Sequence, residues 1–292
     1  MGEIIATGIL SHTPTIMLPK AIRYELNNGK ESTLVSGLET LRNDVIKELA
    51  PDVIIVLDTH WYSTVEFLVS GHQVRKGIFT SEELPRGMSQ IPYSLEGDPL
   101  LADTISNEAN SIGISCTVSK DPYLPIRYPT INLAHYLNNG ESWLSMSICQ
   151  TAELSDFLHL GRALGNAIEK SDTRAIIIGS GGMSHAFWPL SELKNHEAAD
   201  PIHIRTPEAR LADEERIKWW QAGRHDLVIN NMPQYYQHQP EGLFGHYLIM
   251  IGAIGGSKCV APGRKLSTYE NSAGTGQIHM WFDCPKNGWP LA

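Results

Sequence analysis

The chain has 292 residues, 42% of them apolar and 19% charged, and carries a net charge of −9. Length on this scale supports one large domain or two small ones, with a core that needs no metal or disulfide staple to close. The apolar content argues against disorder, and the acidic balance with no Lys/Arg run argues against a nucleic-acid surface. No apolar run reaches the ~18–20 residues that a membrane span requires. The opening Met1-Gly2-Glu3 puts an acid where a secretion signal needs a base. Cys116, Cys149, Cys259 and Cys284 are scattered with no Cys-x-x-Cys pair, which reads as reduced thiols rather than a disulfide framework. A cytoplasmic location is expected, with no nucleic-acid and no membrane partner.

In chain order, Ile4–Leu10 reads as a strand. Leu34, Leu38, Leu41, Val45, Ile46 and Leu49 then recur at three- and four-residue spacing, one face of a helix, and Pro51 stops it. Val53–Leu57 is a fully apolar strand. Residues 80–130 hold six of the seventeen prolines; they read as a helix near Asp98–Ile112 set in loop that covers a sheet edge or a site mouth. Leu154, Phe157, Leu158, Leu164 and Ile168 mark a helix, and Ala175–Ile178 a second buried strand. Thr206-Pro207-Glu208 starts a helix running to about Gly223, with threonine as N-cap and proline at the first position. A last helix is expected from Glu241 to Ile254. The alternation implies an α/β fold with a largely parallel sheet covered by helices on both faces. No linker or repeat divides it, so one domain over 1–292 is expected.

Ligands of such sheets bind beyond the carboxyl ends of the strands. There the sequence places Ser11-His12-Thr13-Pro14, Asp58-Thr59-His60-Trp61 and Gly179-Ser180-Gly181-Gly182-Met183-Ser184-His185. A single histidine at a strand end is commonly structural. Three in one topological position, among twelve in the chain, point to a site, and the neighbouring Ser11, Asp58, Thr59 and Ser184 are the hydrogen-bonding groups that metal-bound imidazoles use. The glycines form no phosphate loop, because neither GxxxxGK[ST] nor GxGxxG is present. Glu241, expected to open an apolar helix where the dipole favours an anion, supplies a carboxylate. Two imidazoles and one carboxylate suit non-haem Fe(II). Zinc hydrolases use the same ligand types, although HExxH is absent, and spacing alone does not choose between them.

These motifs, with Glu241-Gly242-Leu243-Phe244-Gly245-His246 and the run Ser272 to Gln277, resemble in order the class III extradiol ring-cleavage dioxygenases. The resemblance covers most of the chain. The runs Thr80–Pro85 and Tyr93–Pro99 are most similar to the branch acting on 3,4-dihydroxyphenylacetate. The resemblance implies a single α/β domain with a central mixed, largely parallel sheet flanked by helices. It implies Fe(II) held by His12, His60 and Glu241, His185 as the acid/base, and His246 and Tyr128 near the substrate. It also implies O2 and a small aromatic catechol as partners, a ring-opened semialdehyde as product, and a homo-oligomer. The same site would serve a 2-aminophenol, protocatechuate or a dihydroxypyridine, and a non-catalytic relative acting as a subunit is the alternative of another class. Pro129 departs from the family pattern, where a glycine commonly follows the aromatic residue or histidine, and there it restricts the backbone and removes a donor. Arg127, Arg264 and Lys265 are all candidates to anchor a substrate carboxylate. His135 is left open, and His72, His159, His196, His203, His225 and His279 read as non-site residues. Trp219, Trp220, Tyr235, Tyr236 and His238 read as packing.

Overall fold

Side chains alternate across a strand, and in this chain both alternating sets are apolar. In β2 (Val53–Ser63) Val53, Ile55 and Leu57 enter one core, while Ile54 and Val56 enter another. A strand buried on both faces belongs inside a sheet with helices on each side. The computed structural model, which describes residues 1–290, has that architecture. β1 (Glu3–Leu10), β2, β3 (Phe67–Ser70), β6 (Cys116–Ser119), β7 (Ser142–Cys149), β8 (Arg174–Ser180), β9 (Arg264–Lys265) and β12 (Met280–Asp283) form an eight-stranded sheet in the order β6-β3-β7-β2-β8-β1-β12-β9. β7, β2, β8 and β1 run parallel at its centre. β12 and β9 add antiparallel at one edge. On the other side β3 pairs antiparallel with β7 and parallel with β6.

The helices Pro99–Ser111, Leu154–Lys170 and Gly245–Ala253 pack their apolar residues into the first core. The helices Thr33–Thr40 and Tyr128–Leu137 cover the second. The helix expected over Leu34–Leu49 is present, but Leu41–Ile46 winds as a π-helix before a last turn at Lys47–Leu49. The helix opened by Thr206-Pro207 spans Pro207–Gln221, and Thr206 Oγ1 accepts from the Ala209 N–H. Within it Trp220 is fully buried and stacks on Phe244.

Three expectations need correction. The strand expected to end at Leu57 continues to Ser63. The region 80–130 holds more than a helix in loop, because β4 (Val74–Phe79) and β5 (Ile91–Glu96) make a two-stranded antiparallel hairpin beside it; Pro92 is tolerated there because such a ribbon has free edges. The helix expected from Glu241 starts only at Gly245, since Gly242, Leu243 and Phe244 all take left-handed backbone. β10 (Glu270–Ser272) and β11 (Thr275–Gln277) form a second hairpin. No described helix is long and apolar enough to cross a membrane.

Candidate metal centre

Adjacent parallel strands deliver the histidines to one place. β8 lies between β2 and β1, so His12 beyond β1, His60 near the carboxyl end of β2 and His185 beyond β8 converge. His60 reaches inward through an irregularity. The β2–β7 register jumps between Asp58 and Tyr62, which leaves Thr59–Trp61 outside the ladder. Extra residues of this kind bend a strand and re-aim its side chains. Asp58 Oδ1 accepts the N–H groups of His60 (3.0 Å) and Trp61 (3.2 Å), and its Oδ2 accepts from Thr130 Oγ1 at 2.7 Å. Backbone donors that lost ladder partners are thereby satisfied.

Glu241 arrives from the far end of the chain. Gly242, at φ +56°, turns the backbone where a Cβ would lie 2.8 Å from Thr59 Cγ2. Leu243 and Phe244 follow at φ +56° and +59°. Non-glycine residues in that region cost of order 1 kcal/mol each and collect at functional sites. The turn holds the Glu241 carboxylate, 6% exposed, over the histidines. Its Oε1 lies 3.2 Å from His12 Nε2 and 3.4 Å from His60 Nε2, and one donor atom from each of the three residues falls within 4.8 Å of the others. Thr59 Oγ1 donates to Oε1 and the Gly182 N–H to Oε2, both at 2.5 Å. A Cβ at position 182 would meet Glu241 Oε2 at 3.1 Å and the Gln277 amide at 2.7 Å, so glycine is what permits this approach.

Each imidazole is oriented through its other nitrogen. His12 Nδ1 pairs with Ser180 Oγ at 2.8 Å, and His60 Nδ1 donates to Glu83 Oε1 at 3.0 Å; an imidazole that donates from Nδ1 and is otherwise neutral has Nε2 to offer a metal. Burial alone would raise the Glu241 carboxyl. His12 and His185, with hydrogen bonds from His12 and His60, outweigh it and hold the group well below 4.5. Burial lowers His60, but Glu241 and Glu83 raise it further, to about 10. A metal taken at Nε2 would displace that proton. Two imidazoles and an ionised buried carboxylate fit Fe(II) by donor type.

The other expected residues group around this centre at different depths. His185 Nε2 lies 3.5 Å from Glu241 Oε2, and burial lowers its basicity. A cavity of about 680 Å³ opens over His60, His185 and Glu241. Tyr128 donates or accepts at His60 Nε2 over 2.6 Å, with its ring 4.2 Å from the imidazole. His246 is fully buried against Phe244. Neither of its ring nitrogens has a hydrogen-bond partner among the described residues. Burial lowers it to about 4. His12, Tyr128 and His246 are not among the residues lining the cavity, whereas Tyr236 is. His135 is exposed, and its helix places it with Tyr136 in a separate surface depression.

Several functional contacts have no signal in the sequence. Glu83 sits in a run read only for its resemblance. Asp213, on the Pro207–Gln221 helix, accepts from Ser184 Oγ at 2.7 Å and from the Ser184 N–H at 3.2 Å. It also accepts from the hydroxyls of Tyr235 and Tyr269, at 2.7 and 2.5 Å. Ser184 precedes His185, so Asp213 supports the loop that carries it. Ser11, expected near the imidazoles, instead donates to Gln277 Oε1.

Fold and donor set together define an α/β protein with a mixed, mostly parallel sheet and a two-histidine, one-carboxylate cluster at the strand ends. Residues 6–283 match the family model described as the catalytic LigB subunit of aromatic ring-opening dioxygenase, and the chain belongs to that family. It is 26% identical over 263 residues to 3,4-dihydroxyphenylacetate 2,3-dioxygenase of Escherichia coli, covering 88% of this chain and 92% of that protein. It is 27% identical over 256 residues to the 2-aminophenol 1,6-dioxygenase beta subunit of a Pseudomonas species, covering 81% and 80%. The solved structure of the uncharacterized protein JW3007 from Escherichia coli K12 shares the fold, with a TM-score of 0.64 at 15% identity over 95% of this chain and 99% of that one.

Proposed function

We propose that this protein is an Fe(II)-dependent extradiol dioxygenase, a single catalytic domain that opens a catechol ring with O2 to give a semialdehyde. The observation that carries this reading is the meeting of His12, His60 and Glu241 donor atoms within 4.8 Å, at a cavity whose wall also holds His185. Bound Fe(II) would acidify a catechol hydroxyl and bring the ring and O2 together.

The protein's own groups do the rest. Glu241, His12 and His60 would hold the metal, with Ser180 and Glu83 fixing the two imidazoles. His185, 3.5 Å from Glu241 and with a largely buried neutral ring, would take the proton from a catechol hydroxyl and return it as the ring opens. Asp213 would keep the Ser184–His185 segment in place. Tyr128 would hydrogen-bond an oxygen beside His60, and His246 would close the buried side of the site.

The test is oxygen uptake by anaerobically purified, Fe(II)-loaded protein. The ring panel is 3,4-dihydroxyphenylacetate (the acidic catechol expected from the sequence), protocatechuate, catechol and 2-aminophenol. The expected result is uptake coupled to a yellow product and lost in His12→Ala and Glu241→Ala. Failure to bind iron would overturn the reading; retention of zinc without oxygen uptake would replace it with a hydrolase.

A further inference from the structure

Resting on the ring-opening reading, we propose that the substrate of this site is a catechol with an uncharged, apolar ring substituent, such as an alkyl- or arylcatechol.

The wall of the cavity carries the argument. Away from the metal-facing groups it is mostly apolar, built from Ala152, Leu154, Pro240, Gly242 and Leu243 with the rings of Tyr62 and Tyr236, and Gln239 and Glu153 are its polar members. Leu243 is held there against its own backbone preference, at φ +56°, with its side chain still 37% exposed. An apolar substituent lying along this wall would cover the exposed Leu243 surface together with Ala152, Leu154 and Pro240, which is favourable in proportion to the area removed from water. An apolar cavity of about 150 Å³ already holds a benzene ring. At about 680 Å³ this cavity has room for a substituent along that wall.

Charge at the cavity points the same way. Glu153 contributes a carboxylate to the lining, and it caps the helix behind it by accepting from the Asp156 N–H. Among the described residues no arginine or lysine lines the cavity. The three cations named from the sequence are placed elsewhere. Arg127 Nη1 is bound to Glu82 at 2.7 Å. Arg264 is bound to Asp283 at 3.1 Å on the antiparallel edge of the sheet, and Lys265 is its exposed neighbour on β9. A substrate carboxylate entering here would lose water, meet a like charge and gain no cation.

The experiment compares 4-propylcatechol with 3,4-dihydroxyphenylacetate, which are close in shape and differ in an ethyl group against a carboxylate. Dopamine is the cationic control. Affinity is read anaerobically by calorimetry on the Fe(II)-loaded protein, and ring opening separately by oxygen uptake. We expect 4-propylcatechol to bind and turn over at least about tenfold better than the acid, the worth of two buried methylenes. Glu153→Gln should reduce that preference about threefold, the scale of one exposed charge. Leu243→Gly, which folds more easily at φ +56°, should lower the ratio of 4-propylcatechol to dihydroxyphenylacetate affinity. Arg127→Gln should not change the ratio. Preference for the acid, or for dopamine, overturns the inference while ring opening stands. Absence of binding and turnover with all three overturns the inference, and failure of protocatechuate, catechol and 2-aminophenol as well overturns the ring-opening reading with it.

Discussion

Two carboxylates are buried within this molecule on either side of the Gly181–His185 loop, and their surroundings push them in opposite directions. Glu241 bonds the Gly182 N–H at one end of that loop; Asp213 bonds Ser184 near the other. Burial raises both. Glu241 faces the imidazoles of His12, His60 and His185 and stays ionised, well below its ordinary value. Asp213 faces the hydroxyls of Tyr235, Tyr269 and Ser184, which offset burial only in part, and it rises to about 6. Environments that drive like groups apart mark a division of roles. A carboxylate kept charged among imidazoles is poised for a cation. One surrounded by neutral hydroxyls holds a loop in place.

The largest effect expected is at Glu241. Glu241→Gln removes the charge with little change of shape, so metal content should fall to background and ring opening with it. A Gln variant that retained stoichiometric iron would break the contrast. His185→Gln should lower kcat by about 10²–10⁴, the usual worth of a positioned acid/base, with iron content unchanged. Loss of iron in that variant would make His185 a ligand instead. Thr59→Val removes a hydrogen bond to Glu241 Oε1 and should weaken metal affinity about 10–100-fold, read by competition with a chelator.

The smallest effect tests Asp213 alone. Its folded value, about 6, lies above the ordinary carboxylate value, so the folded state binds the extra proton. Its contribution to stability is fully present below about pH 3.9 and is lost as pH rises through about 6. Wild type should therefore gain stability over Asp213→Asn by about 1 kcal/mol per pH unit between pH 6 and 4, measured by urea unfolding. Metal content should be equal in the two proteins. A flat difference across that range would place the Asp213 carboxyl near its ordinary value and remove the contrast with Glu241.

The strands were readable where apolar residues run unbroken, as in Val53–Leu57 and Ala175–Ile178, because a strand buried on both faces has no polar alternation to confuse it. β7 was not, since Ser145 and Ser147 interrupt its apolar residues. Those serines face the neighbouring β3: Ser147 Oγ accepts from the Leu68 N–H and the Ser145 N–H donates to Ser70 Oγ, and nothing local announces it. The helix start at Glu241 was misplaced because its side-chain pattern continues the helix that begins at Gly245. Only the backbone signs of Gly242, Leu243 and Phe244 separate them.

By itself the sequence determined the α/β class, the parallel core and the set of histidines beyond three strands, since hydrophobic periodicity and topology act locally and in order. It also carried the family motifs. The sequence named Glu241, but tertiary structure brought it, 181 residues after His60, within 3.4 Å of both imidazoles. Tertiary structure alone decided that Glu83 and Ser180 orient the imidazoles, that Asp213 underlies His185, and that the available arginines are bound away from the cavity. Those contacts join residues far apart in the chain, and their energies depend on burial and charge that exist only once the sheet has brought them together.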